Sequence, residues 1–229
     1  MTGHADTSPT LAEVVNSIVE CTLCPRLVAW RTEVASDPPA RFAGQRYWAR
    51  PVPGFGDPQA RVYVLGLATA AHGGNRTGRA FTGNPTADWL LRAMHRAGLA
   101  NQPTSEHARD GLRLQGTWMG SAVRCAPPGN RPTPGERDTC LPYLTAEITA
   151  LTELRVLMCL GGFAWNTALR WAGARPKPRF THGGEHHLDT GLTLLGSYHP
   201  SRQNTNTGVL TEPMLDAVFT RARTLAAKP

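Results

Sequence analysis

Four short apolar runs, each followed by a stretch of helical character, constrain this chain more than any other feature. They are Arg61–Ala68 (RVYVLGLA), Thr117–Arg124 (TWMGSAVR), Val156–Leu160 (VLMCL) and Leu192–Ser197 (LTLLGS). Runs of this length without polar alternation suit strands covered on both faces. Between them lie helix signals. Asn84-Pro85 opens a stretch with Trp89, Leu90, Ala93, Met94 and Ala97 at helical spacing, stopped near Gly98. Thr133-Pro134-Gly135-Glu136 is a capping box with proline at the first helical position, and its helix is expected to run to about Leu154. Phe163–Trp171 and Val209–Ala227 supply two more helices. Strand and helix alternating in this way predict an α/β fold. The expected form is a three-layer αβα sandwich with a central, mainly parallel, four-stranded sheet and a ligand site at the carboxyl ends of its strands.

Upstream, Thr10 and Glu13 form another capping box, opening a helix to about Cys21, and Cys24 to about Glu33 reads as a second helix. The Pro-, Gly- and aromatic-rich stretch 36–60 reads as an ordered loop. A single domain is expected over 1–229, its N-terminal helical segment contributing two of five cysteines. With 41% hydrophobic and 18% charged residues, the chain is not disordered, a coiled coil or collagen-like. No apolar run approaches the roughly 18 to 20 residues of a membrane span. The polar start MTGHADTSPT lacks the apolar stretch of a secretion signal, so a cytoplasmic protein acting without a membrane is expected, and a chain this compact is expected to act as a monomer. The net charge of +7 suggests a polyanionic partner, and nearly all the positive charge is arginine, since lysine occurs only at 177 and 228.

In such a compartment five cysteines argue against disulfides. Cys159 sits inside an apolar run and reads as core. Cys21 and Cys24 form a C-x2-C pair, and Cys125 and Cys140 bracket a Pro-rich loop. Four thiolates from two separated segments suit a tetrahedral zinc ion or a 4Fe-4S cluster, and the spacing does not choose between them.

Two loops at strand ends carry the remaining chemistry. Gly66–Arg79 (GLATAAHGGNRTGR) is long and glycine-rich but lacks the G-K-[ST] of a phosphate loop. It leads to Phe81, a ring that could stack on a flat ligand. After the last apolar run comes YHPSRQN, where His199 could donate a hydrogen bond to developing negative charge.

Taken together, GLATAAHGGNRTGRAFTGN, SAVRCAPPGN and HPSRQNTNTG resemble the three signature segments of the uracil-DNA glycosylase superfamily. The AAHG form of the first segment, the upstream PVPGFGDP and the four-cysteine pattern are similar to the family-five, iron–sulfur branch. The likeness runs from Cys21 through the final helix. It implies a uracil-DNA glycosylase-like fold and a monofunctional DNA repair glycosylase, a hydrolase that cleaves the N-glycosidic bond of uracil and other deaminated or damaged bases in DNA. It implies a 4Fe-4S cluster on Cys21, Cys24, Cys125 and Cys140, with zinc a lesser alternative. Phe81 would stack on the flipped base, with Leu67, Ala68, Thr69, Ala70, His72 and Ser121 around it. His199 would steady the leaving uracilate, with Asn84 and Asn130 as further catalytic candidates. Arg76, Arg79, Ser201, Arg202, Gln203 and Asn204 would meet DNA.

Three departures bear on these roles. The family usually has Asp where Asn84 stands after FTG, and Asn can hold a water but cannot accept its proton. Thr69 replaces a common Pro. Ser121 stands where a strictly uracil-reading branch has Asn, so broad base tolerance is expected. Asn84 motivates an alternative, a lesion-binding protein of the same fold with weak turnover. A zinc-stapled nucleotide-handling hydrolase is a third reading.

Overall fold

In the computed structural model, which describes residues 9–227, the chain is read from Pro9 to Ala227. Residues 1–8, which hold most of the polar start, and Lys228 and Pro229 lie outside the described residues.

Each of the four apolar runs is a strand, and two short strands are added at the edges. In chain order the strands are β1 (Phe55–Gly56), β2 (Val62–Ala68), β3 (Thr117–Val123), β4 (Val156–Leu160), β5 (Glu185–His187) and β6 (Thr193–Ser197). The helices are α1 (Leu11–Val19), α2 (Pro25–Ser36), α3 (Gly74–Thr77), α4 (Pro85–Arg96), α5 (Pro134–Ala150), α6 (Gly161–Trp171), α7 (Arg202–Asn206) and α8 (Glu212–Ala226), with 3-10 turns at Ala40–Phe42 and Pro128–Asn130. The sheet order is β1-β3-β2-β4-β6-β5. β3, β2, β4 and β6 run parallel, and β1 and β5 pair antiparallel at the two edges. The expectation of four strands is thereby corrected to six.

Alternate strand residues feed two cores. Val62, Val64, Met119, Val156, Met158 and Leu195 face α4 and α8. Tyr63, Leu65, Trp118, Leu157, Cys159 and Leu194 face α5 and α6, with Leu11 and Val15 of α1 packed against them. Cys159 is core, as expected. Covering both faces leaves the strand ends as the place for ligands.

Helix boundaries shift from the sequence reading by a few residues: α2 runs on to Ser36 and α6 begins at Gly161. α5 stops at Ala150 because Leu151 leaves helical geometry at ψ 75°. α8 begins at Glu212, behind Thr211 and with Pro213 in its first turn.

The chain passes from β2 to β3 on one side, then returns to place β4 on the other. That reversal opens a crevice at the carboxyl ends of β2 and β4, the usual ligand position in such sheets.

Candidate active site

The crevice holds a cleft of about 610 Å³, lined by residues from each of the three signature segments. Leu67, Ala68, Thr69 and Ala70 come from the end of β2, Phe81 and Asn84 from the loop before α4, and Ser121 from β3. Asn130 enters from the 128–130 turn, and His199, Ser201, Arg202 and Gln203 from the segment after β6.

Phe81 is held by its backbone and by the absence of a side chain beneath it. Its φ is +48°, rare for a bulky residue and worth attention at a functional position. A Cβ at Gly66 would stand 2.4 Å from its ring tip, so the ring rests over a bare strand backbone. Gly66 pairs in register with Ser121, which places that hydroxyl next to the ring's seat. Gly66 was not among the sequence candidates. A glycine inside an apolar strand is the signal that marks such a close approach.

His199 is fixed through its carbonyl. Ser201 N–H and the Asn204 amide both donate to it at 2.8 Å. Gly161, at the end of β4, leaves room for its Cβ at 3.3 Å. Burial pushes the imidazole pKa down to about 4, so the ring is neutral at physiological pH. A neutral ring offers one N–H donor and one acceptor. Asn204 therefore serves His199 and does not line the cleft.

Behind His199, the Tyr198 N–H donates to His182 Nδ1 at 3.0 Å, and the two rings stack at 4.9 Å. No sequence motif singled out His182.

Asn84 caps α4, its Oδ1 accepting the Ala87 N–H at 3.0 Å. Its Nδ2 lies against Gly73, where a Cβ would come within 2.3 Å. Thr69 is buried, and its hydroxyl donates to the Arg124 carbonyl at 2.8 Å while its N–H donates to Val123 O. Thr69 therefore has neither donor free for a ligand.

Three expected site residues are drawn elsewhere. His72 hydrogen-bonds the Tyr47 hydroxyl at 3.0 Å and stacks on Phe42. Burial first, then Arg41 and Arg76, lower its pKa. Arg76 spans the His72 carbonyl, Gln45 and the Gly83 carbonyl, its guanidinium 4.4 Å from the Phe42 ring centre. Arg79 forms a buried ion pair with Asp110 at 2.7 Å and bonds Thr82 and Ser105. The Arg79 bond and two backbone N–H donors hold the Asp110 carboxyl well below the usual range, against its burial. The expectation that Arg79 touches DNA is corrected, because its guanidinium is enclosed. Arg76 and His72 brace the loop. Their partners outside the loop, Phe42, Gln45 and Tyr47, lie in a segment that no spacing rule ties to them.

The four cysteines come together beside the cleft. Cys21, Cys24, Cys125 and Cys140 line one small cavity of about 10 Å³ with Leu27 and Tyr143. Burial raises the thiol pKa of Cys24 and Cys140 and pushes that of Cys125 up to about 12. Among the described residues, no group of three or more His, Cys, Asp or Glu side chains is placed to hold one metal ion. Two guanidiniums border this cavity. Arg31 Nη1 donates to Cys125 Sγ at 3.1 Å, and Arg124 forms part of the wall. Arg124 is paired with Glu147 at 2.7 Å, and Glu147 also takes hydrogen bonds from the Tyr63 hydroxyl and from Gly54 N–H. Gly120 makes room for this network, since a Cβ there would meet Tyr63 and Arg124.

A parallel sheet with a cleft at its strand reversal, walled by an aromatic ring and a neutral imidazole, defines an α/β protein with a candidate ligand site at its strand ends. The model of the uracil DNA glycosylase superfamily matches residues 53–223. A Mycobacterium bovis protein named Type-5 uracil-DNA glycosylase is 54% identical over 216 residues, covering 93% of this chain and 81% of its own. Proteins of the same name from Mycobacterium leprae and Thermus thermophilus are 51% and 49% identical, covering 99% and 93% of this chain and 99% and 96% of their own. The chain belongs to the uracil-DNA glycosylase superfamily.

Proposed function

We propose that this protein hydrolyses the N-glycosidic bond of uracil, and of related deaminated bases, in DNA, leaving an abasic site. The observation that carries this reading is the single cleft shared by Phe81 and His199, with contributions from all three signature segments. The relatives' names favour turnover over lesion binding without turnover.

The target nucleotide is extruded from the duplex at a cost of a few kcal/mol. Its base slides over Phe81, above Gly66, with Ser121 and Asn130 at its edges. As the C1′–N1 bond breaks, the electron pair stays on the base and positive charge grows on the sugar. The neutral His199 ring donates a hydrogen bond to the uracil carbonyl that gains negative charge. One preorganised donor of this kind is worth about 3 to 4 kcal/mol. Water then adds to C1′, and its proton passes to the released base anion or to solvent. Asn84 can orient that water but cannot take its proton, so the sugar cation supplies the electrophilic drive. No lysine lies in the motifs, so no Schiff-base lyase step is indicated. Arg202, Gln203 and Ser201, at the mouth of the cleft, are the residues for DNA backbone contact. Ser121, shorter than Asn, fixes the base edge loosely and supports tolerance of several lesions.

Cys21, Cys24, Cys125 and Cys140 are read as ligands of a 4Fe-4S cluster. A single zinc ion, which needs four donors at about 2.0 to 2.3 Å from one point, is the alternative occupant. A larger cluster accepts wider spacing. Bound there, it would pin α1 and α2 to the segment after β3. Arg31 suits this reading, because a buried guanidinium needs an anionic neighbour and ligated thiolates are anionic.

The deciding experiment is excision from a duplex carrying one uracil, extended to hypoxanthine, ethenocytosine and hydroxymethyluracil. Cleavage at uracil after alkali supports the reading, and an intact strand alongside an active control enzyme refutes it. Absorbance at about 400 nm marks the iron–sulfur centre, and its absence with stoichiometric zinc overturns that assignment.

A further inference from the structure

Three arginines are buried in this molecule, and two have a carboxylate: Arg79 has Asp110 and Arg124 has Glu147. Arg31, only 5% exposed, pairs with none among the described residues. Its guanidinium reaches Cys125 Sγ at 3.1 Å and the Cys21 carbonyl at 3.4 Å, and its Nε has no partner. The backbone carbonyl of the same residue accepts the Asn75 Nδ2–H at 3.1 Å. Asn75 has no exposed surface, and its Oδ1 is unpartnered. Its position in α3 puts it inside the loop between β2 and Phe81. There its N–H donates to Ala70 O and its carbonyl accepts the Ala49 N–H. Ala70 and Gly74 line the cleft.

We propose that Arg31 and Asn75 form a positioning relay that clamps the 70–78 loop of the cleft to the cysteine pocket, so that the ligated state of the cysteines sets the order of the base site. This rests on reading the cysteines as cluster ligands. A neutral, buried thiol is a weak acceptor for the Arg31 N–H. A metal-bound thiolate is a charged one, and charge-assisted hydrogen bonds are roughly twice as strong. Ligation therefore tightens Arg31, and with it α2, against Cys125. The Asn75 side chain carries that restraint across to Ala70. Thr69, bonded to the Arg124 carbonyl next to Cys125, is a second tie at the loop's start.

The test uses the purified, iron-loaded protein with Asn75→Ala and Arg31→Met. Three readouts are taken: iron content with visible absorbance, iron loss to a chelator, and deuterium uptake at the amides of 73–78. Asn75→Ala is expected to keep its iron and its chelator resistance. Its uptake at 73–78, and its KM for uracil-containing duplex, should rise about fivefold, the size of one ordinary hydrogen bond, with little change in kcat. Arg31→Met is expected to raise the same uptake and also to shed iron faster. Asn75→Asp, equal in size but without the Nδ2–H donor, repeats the measurement if Asn75→Ala folds poorly. Two results overturn the relay. One is unchanged uptake in an iron-loaded Asn75 variant, and the other is iron loss from that variant as fast as from Arg31→Met. A parent protein without iron overturns the cluster assignment separately, and the Asn75 uptake still decides whether the loop is clamped to Arg31.

Discussion

The base cleft and the cysteine pocket are neighbours built on opposite terms. The cleft is open, at about 610 Å³, and its working groups are held in place through their backbones. His199 is fixed by two donors to its carbonyl, and Phe81 by a left-handed φ over a bare glycine. The side-chain chemistry stays free to meet a ligand. The pocket is small, at about 10 Å³, and its side chains are committed, with Arg31 on Cys125 and Arg124 on Glu147. The contrast teaches that the cleft's working groups are placed by backbone and glycine contacts that leave their side chains unspent, while the pocket's are tied side chain to side chain.

The largest expected effect lies on the pocket side. Glu147→Ala leaves Arg124 buried without its carboxylate, which costs about 3 to 5 kcal/mol. A urea midpoint should fall accordingly, and an unchanged midpoint would show that the pocket's wall is not under this constraint. On the cleft side, Gly66→Ala puts a methyl 2.4 Å from the Phe81 ring tip. Overpacking of this kind costs about 1 to 3 kcal/mol. It should appear mainly as a raised KM, because the base loses its seat. An effect on iron content instead would blur the division between the two regions.

A pH series sharpens the cleft's side of the comparison. His199 protonates at about 4 when folded, against an ordinary value of 6.5. Between those values the unfolded chain binds a proton that the folded one refuses, so stability falls as pH drops from about 6.5 to about 4. His199→Gln should flatten that slope in part, since His72 and His182 are also lowered and keep their share. The smallest effect belongs to Arg202→Ala at the mouth, where binding to DNA should weaken a few-fold and the salt dependence should lose about one unit of slope.

Much of this was legible in the sequence because the informative residues are local. Four apolar runs are largely buried strands, and Thr10, Asn84 and Thr133 cap helices where the sequence places them. The edge strands were not legible. β5 reads Glu-His-His and is largely exposed, and β1 has two residues. Motif loops revealed which segments meet but not which way each side chain turns. Arg79 looked available because Asp110, its partner, lies in a separate loop. Gly66 and Gly161 matter for what they lack, and Arg31 shows only when Cys125 is placed beside it.

The most direct measurement is single-turnover excision of uracil from duplex DNA by the parent protein and by His199→Ala, each confirmed folded by thermal melt. The account predicts that the parent converts the strand to an alkali-labile product, while His199→Ala binds the duplex yet cuts about 100- to 1,000-fold more slowly. Equal rates for the two proteins would contradict the placing of a departing base between Phe81 and His199.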